Sequence, residues 1–382
     1  MTAAVKVIER EHFDELLAVI AQHGYTIVGP TIREQAIVYD EISSAADLPI
    51  GWTDEQDGGY YRLRRRDDEA LFGYAVGPHS WKQHQLPAEV KLWRGRVDQR
   101  GAVTGVTEPR QEAPRYAFLG ARSCELHAIG ILDRVLVGGR RAESDDRGRG
   151  ERPFIVAVQC GVAGGTCFCV SMSTGPVAER GFDLALTEIL DANAHHFVVE
   201  VGSERGADVL DDVPHRDAAG DDQDAASSVQ ERTASQMGRE LDTTDIRELL
   251  YRNYQHPRWD EVAARCLTCG NCTMVCPTCF CTSVEDVNVL SEEAAAERWR
   301  RWDSCFTIDY SHIHGGSVRS STRSRYRQWM THKLATWWDQ FGSSGCVGCG
   351  RCITWCPVGI DITEEARAIR ESEKRGSSDA HD

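Results

Sequence analysis

The sequence has no long apolar run, no basic leader and no excess of positive charge. Its longest uninterrupted apolar stretch is about Leu16 to Ala21, whereas a membrane-spanning helix needs roughly 20 apolar residues, so no membrane span is expected. The first 22 residues lack the basic start and apolar middle of a secretory signal, which predicts a cytoplasmic location. With 43 basic and 59 acidic residues, the 382-residue chain has a formal net charge of −16. Such an acidic chain is a poor candidate for a nucleic-acid binder, and no nucleic-acid partner is expected.

Several common catalytic and nucleotide-binding motifs are also missing. The chain contains no G-x-G-x-x-G, no G-x4-G-K-[S/T], no H-E-x-x-H and no nucleophile-elbow pattern. It therefore offers no standard dinucleotide loop, P-loop or zinc-protease helix, and no catalytic residue is predicted. If NAD(P)H or flavin takes part in the reaction, another subunit is expected to bind it.

Cysteine is the residue type that carries the most information. Of the 15 cysteines, 11 lie between Cys266 and the C-terminus. An odd number, the lack of an export signal and clustered C-x2-C spacing argue against a secreted disulfide framework. In a reducing compartment, such clusters indicate metal binding.

The run C-x2-C-x2-C-x3-C-P occurs twice, starting at Cys266 and at Cys346. This is the spacing of bacterial-type 4Fe–4S loops, in which three cysteines bind one cluster and the fourth binds its neighbour. Zinc sites also use C-x2-C pairs, but the duplicated run does not fit two ligands from each half. Two clusters fully ligated by thiolates would form an electron wire, since no iron is open to substrate. The predicted ligands are Cys266, Cys269, Cys272 and Cys356 for the first cluster, and Cys346, Cys349, Cys352 and Cys276 for the second.

Seven cysteines fall outside these runs. Four lie upstream, close to two predicted strands, and would meet at the carboxyl edge of a sheet if those strands are parallel neighbours. They would then form a third metal site, an iron–sulfur cluster or zinc; alternatively, they are free thiols in the core. The upstream residues are Cys124, Cys160, Cys167 and Cys169. The remaining three could serve another site or pack beside the clusters; they are Cys279, Cys281 and Cys305.

Apolar patterning predicts an α+β chain, with an N-terminal α/β domain followed by a helical two-cluster ferredoxin-like domain. The expected division is 1–202 for the α/β domain, 203–240 for an acidic flexible linker, 241–371 for the dicluster domain and 372–382 for a disordered tail. A further charged linker is expected at 140–152. Predicted helices cover 1–24, 124–136, 245–265 (interrupted at Pro257), 292–302 and 324–341, and predicted strands cover 26–28, 36–39, 116–119, 154–158 and 197–201. The tryptophans between the two cysteine runs are expected in a core that shields the clusters; the alternative is a docking face, or an anion or flavin-phosphate site near Arg319.

Several segments of the sequence resemble one family. They run from Phe118 to Ile129, from Gly165 to Met172, from Cys266 to Cys281 and from Cys346 to Asp361, together with 299–305 and 314–319. The chain resembles the β subunit of cytosolic NADP-linked nickel–iron hydrogenases (sulfhydrogenases) and the corresponding iron–sulfur subunit of anaerobic sulfite reductases, over about 116–365.

The resemblance implies an electron-transfer subunit of a soluble oxidoreductase complex, with two 4Fe–4S clusters on the eight cysteines of the two runs. Its implied partners are a flavin subunit that meets NAD(P)H and a catalytic subunit holding nickel–iron, or siroheme in the sulfite reductase alternative. We expect the hydrogenase. Two other classes remain open at this point: an autonomous enzyme, and a scaffold or sensor whose clusters serve folding or sensing.

Overall fold

The computed structural model describes residues 5–108, 114–137, 152–191, 194–289 and 295–378. The charged linker predicted at 140–152 falls almost wholly outside these residues, as does the last part of the predicted tail, 379–382. The strands are β1 Val5–Glu9, β2 Thr26–Arg33, β3 Ala36–Glu41, β4 Trp52–Asp57, β5 Tyr60–Arg65, β6 Glu89–Val97, β7 Val103–Thr107, β8 Tyr116–Ala121, β9 Phe154–Val158, β10 Leu184–Leu190, β11 His195–Val201, β12 Arg216–Asp217, β13 Thr282–Val289, β14 Ala295–Trp302, β15 His312–Ile313 and β16 Gly316–Ser317. The helices are α1 Phe13–Gln22, α2 Lys82–Gln85, α3 Ser123–Val137, α4 Glu204–Asp211, α5 Gly220–Ala234, α6 Ile246–Arg252, α7 Arg258–Arg265, α8 Asn271–Met274, α9 Thr322–Thr331, α10 Trp337–Phe341, α11 Arg351–Thr354 and α12 Ile362–Ser378, with a π turn at His332–Thr336 between α9 and α10.

An eight-stranded mixed sheet organises the N-terminal part, in the order β12-β1-β11-β10-β9-β8-β2-β3. Its four central strands, β10, β9, β8 and β2, are parallel, and the outer pairs are antiparallel. The predicted strands at 26–28, 36–39, 116–119, 154–158 and 197–201 all lie in this sheet, and the predicted helix 124–136 is α3. Because β8 and β9 are parallel neighbours, the segments that follow them meet at one sheet edge.

The N-terminus differs from the single helix predicted over 1–24. Residues Val5–Glu9 form a strand that pairs antiparallel with β11, and the helix begins only at Phe13. Val7 and Ile8 are fully buried in that strand. Helical spacing of apolar residues is a local signal, and it does not register a strand whose partner is almost 190 residues away.

The stretch 203–240, expected to be an acidic flexible linker, contains helices α4 and α5. Ser203 caps α4 by accepting a hydrogen bond from the Gly206 N–H at 3.1 Å. Val209 and Leu210 are almost fully buried against the large sheet. The acidic side chains hid this amphipathic pattern, because few apolar residues suffice when all lie on one face.

The segment between the two cysteine runs is not wholly helical. The predicted helix over 292–302 is instead strand β14, which lies between β13 and β6 in a four-stranded sheet. Charges that suggested an exposed helix are paired across the strands, as in the Arg298–Asp286 pair at 2.6 Å. The cysteine-rich part and the N-terminal part therefore share a sheet, and the description "helical" for the C-terminal domain is incomplete.

Helices α6, α7, α9, α10 and α12 surround the second core. Its centre includes Trp259, Met330, Leu334 and Ile369, all at most 1% exposed. The helices predicted at 245–265 and 324–341 are present, with the first broken at Pro257 as expected. Helix α12 continues to Ser378, although a disordered tail is predicted from 372. Among the helices of the described residues, none combines the length and apolar character needed to cross a bilayer.

Candidate iron–sulfur centre

The two cysteine runs adopt the same local structure. In each, a glycine in the left-handed region caps a one-turn helix: Gly270 (φ 78°) precedes α8 and Gly350 (φ 75°) precedes α11. A Cβ on Gly350 would lie 2.4 Å from the carbonyl oxygen of Thr166. Glycine is thus required there by both backbone angle and close approach to the upstream loop, in addition to any approach to sulfide.

The first four predicted ligands, Cys266, Cys269, Cys272 and Cys356 (the first quartet), line one cavity. Its apolar walls include Phe306, Tyr326 and Trp329. The fourth cysteine thus comes from the other run, as the cross-ligation pattern predicts.

Hydrogen-bond donors around this cavity fit an iron–sulfur cluster. The backbone N–H groups of Thr268 and Ile360 donate to the sulfurs of Cys266 and Cys356 at 3.4 and 3.3 Å. The buried indole Nε1 of Trp329 has no partner among the described residues, so it is available to a sulfide. A cluster with sulfur acceptors would satisfy such donors, and these bonds help set its potential.

The second predicted set, Cys346, Cys349, Cys352 and Cys276 (the second quartet), is more deeply placed. Cys276 and Cys349 are each 8% exposed. Cys276 interacts electrostatically with the other three members. Burial raises the pKa of Cys346 to about 12, so binding iron at this quartet requires the loss of protons that the buried thiols otherwise hold tightly.

A buried lysine accompanies the second quartet. The Nζ of Lys333, which is 2% exposed, donates to Cys276 Sγ at 3.0 Å and to Thr278 Oγ1 at 3.1 Å. Hydrogen bonding from Cys279, together with the Lys333 charge, holds the pKa of Cys276 well below its usual value. Lys333 has no signature in the sequence, where it is one basic residue in a helical segment.

The four upstream thiols gather at the predicted sheet edge. Cys124 lies in the first turn of α3, Cys160 follows β9, and Cys167 and Cys169 lie in the next loop. Electrostatic interactions connect Cys169 to Cys160 and Cys167, and Cys124 to Cys169.

That loop packs on the second cysteine run. The Phe168 N–H donates to the Gly348 carbonyl at 2.8 Å, and the Thr174 hydroxyl donates to the Val347 carbonyl at 2.6 Å. Cys124, Cys167 and Cys169 all interact electrostatically with Cys349. The upstream thiols thus adjoin the second quartet.

In the described part of the chain, no three His, Cys, Asp or Glu side chains are placed to hold a single metal ion. A cubane cluster poses a different requirement, because its thiolates surround four irons rather than one. Of the tryptophans expected in a shielding core, Trp329 and Trp337 are buried, whereas Trp338 is 45% exposed.

Comparison with known proteins agrees with this geometry. A family described as a 4Fe–4S dicluster domain matches residues 265–360, which contain both quartets. Subunit β of sulfhydrogenase 2 from Pyrococcus furiosus is 32% identical over 265 residues, covering 67% of this chain and 75% of the relative. No solved structure matches the chain. The chain belongs to the sulfhydrogenase β-subunit family, and it is an iron–sulfur protein of the 4Fe–4S dicluster type.

Proposed function

We propose that this chain relays single electrons within an oxidoreductase complex, between a flavin subunit that binds NAD(P)H and a nickel–iron hydrogenase subunit. The observation that carries the proposal is the adjacency of the two quartets. Cys352 belongs to the second quartet yet lines the cavity of the first. Bound clusters would supply one-electron redox chemistry, and the chain's role is to hold them close together and to exclude water.

The two quartets differ in their access to solvent. In the first quartet Cys269 is exposed, and the neighbouring Leu267 and Val358 are 60% and 38% exposed. An apolar surface beside a cysteine ligand suits transient contact with a redox partner. The second quartet lies deeper, against the upstream loop. We propose a route from the surface at Cys269 through the first and second quartets towards the upstream thiols.

The upstream thiols are proposed as a third metal site, either an iron–sulfur cluster or zinc. Cys124 and Cys169 are both buried, and burial raises the pKa of each thiol well above its usual value. Metal binding would replace protons that these thiols otherwise keep at neutral pH. Their position beside Cys349 is what a third relay centre requires.

Identification of the native complex tests the proposed partners. We expect anaerobic purification to yield a flavin subunit together with a nickel-containing one, and a partner flavoprotein to reduce this chain rapidly and reversibly. A siroheme protein in their place would assign the chain to a sulfite reductase. Reduction too slow to support turnover would instead favour a scaffold or sensor.

Iron analysis tests the number of clusters. Two cubanes predict about eight irons and eight sulfides per chain, and occupation of the upstream thiols by a third predicts about twelve. Anaerobic metal and acid-labile sulfide analysis gives both numbers. Stoichiometric zinc without iron would contradict the relay.

Replacement of Lys333 by methionine tests its effect on the second quartet. The ammonium group favours the more negative, reduced cluster, so its removal should lower that cluster's reduction potential. A hydrogen bond to a charged group contributes about 1.5–3 kcal/mol, which corresponds to roughly 60–130 mV for one electron. EPR-monitored redox titration measures the shift. The first-quartet cluster, which lacks this contact, serves as the internal reference, and equal shifts in both clusters would contradict the assignment.

A further inference from the structure

Three thiols outside both runs converge beside the ferredoxin-type ligands. Cys279 and Cys281 follow the first run, and Cys305 follows β14; we call these three the outer thiols. The backbone N–H of Asp303 donates to the Cys281 carbonyl at 2.9 Å and holds the two segments together. Cys305 is hydrogen-bonded to the Cys281 sulfur, which lowers the pKa of Cys281 to about 6.

The outer thiols touch both quartets. Cys279 is hydrogen-bonded to Cys276 of the second quartet, and Cys305 interacts electrostatically with Cys272 of the first. A redox group held by the outer thiols would therefore lie within the same electron pathway.

Two buried ammonium groups adjoin these thiols. Lys82 and Lys333 are 3% and 2% exposed, and neither forms an ion pair with a carboxylate among the described residues. Lys82 Nζ donates only to main-chain carbonyls, those of Thr273 at 3.2 Å and Met274 at 2.9 Å, and it lies over the ring of Trp302.

Such charges call for a buried counter-charge. Removing an ammonium group from water costs several kcal/mol unless a negative group compensates it. The anionic groups that interact with Lys82 are the thiols Cys279, Cys276 and Cys281. Cys276 is already assigned to the second quartet and adjoins Lys333, so the counter-charge for Lys82 falls to the outer thiols.

We propose that Cys279, Cys281 and Cys305 ligate a further iron–sulfur cluster, whose negative charge is balanced by Lys82 and Lys333. With three cysteine ligands, one iron of a cubane has no thiolate and is open to a non-cysteine ligand. A disulfide between Cys281 and Cys305 is the competing state, but it is neutral and would leave both ammonium groups uncompensated. The proposal goes beyond the relay function and does not depend on which complex the chain joins.

Alanine variants of the full-length chain test this site. In Cys281→Ala and Cys305→Ala, purified anaerobically, we expect about four fewer irons and sulfides by native mass spectrometry, with the EPR signals of the two quartets retained. Ser304→Ala is the matched control: it removes hydrogen bonds to Thr273 and Phe306 next to Cys305 but no thiol, and should keep the full iron content.

A measurement on the unsubstituted holoprotein decides the matter even if these variants do not fold. Ferricyanide should accept one electron from the open cubane, which releases Fe2+ and passes from [4Fe–4S]2+ to [3Fe–4S]1+. The EPR signal of a three-iron cluster should then appear before the two quartet clusters are bleached. Failure of that signal to appear, unchanged iron in the variants, zinc in the site, or a Cys281–Cys305 disulfide found by mass spectrometry would each overturn the proposal. Absence of the quartet signals themselves would instead count against the relay function.

Discussion

Cys276→Ser should disable the second cluster and leave the first intact, although Cys276 belongs in sequence to the first cysteine run. In the structure its sulfur interacts with Cys346, Cys349 and Cys352. Replacing this thiolate with a weaker hydroxyl ligand should cost up to about four of eight quartet irons. EPR of the reduced protein should show one cluster signal free of the broadening that a nearby second spin causes.

Cys356→Ser is the mirror-image control for this experiment. Cys356 ends the second run but lines the first-quartet cavity, so its replacement should disable the first cluster and spare the second. The surviving signals in the two variants should differ. If the affected clusters were exchanged between the variants, each run would bind its own cluster and the cross-ligation would be wrong.

The ferredoxin-type ligands could be predicted because cluster ligation imposes a strict local spacing. A cubane accepts three thiolates from one short loop only when they are separated by two residues, and the proline ends the loop. The meeting of the upstream thiols at a sheet edge could also be anticipated, since buried strands such as β9 carry continuous apolar runs. These inferences depend on residues close together in the sequence or on a general rule of α/β sheets.

The features that escaped prediction depend on partners distant in sequence. A helix is predicted in place of strand β14 because its tryptophans and arginines fit helical spacing, whereas its pairing with β6 involves residues about 200 positions away. Lys82 and Lys333 are also invisible as a pair, because only the tertiary structure brings α2 against the cysteine loops. A basic residue in a sequence is most often on the surface, so nothing local marks these two as buried.

A buried ion pair joins the upstream region to the second cysteine run. Arg351 and Glu125 have side chains that are 0% and 1% exposed. Glu125 follows Cys124, and Arg351 lies between Cys349 and Cys352. Arg351 also donates to the carbonyls of Gly77 and His79, both at 2.8 Å, while its buried Nη1 has no partner among the described residues.

Replacement of Glu125 by glutamine should destabilise the protein strongly, because it leaves the Arg351 charge buried without its partner. Breaking one side of a buried pair costs about 3–5 kcal/mol, and here the loss falls beside Cys349. We expect a lower urea midpoint and faster loss of the second cluster's visible absorbance, followed anaerobically. Glu55→Gln is the matched control, since the Glu55–Arg64 pair is about half exposed on both sides and such pairs contribute at most about 1 kcal/mol. Equal effects of the two substitutions would show that the buried pair does not hold the second cysteine run against the upstream region.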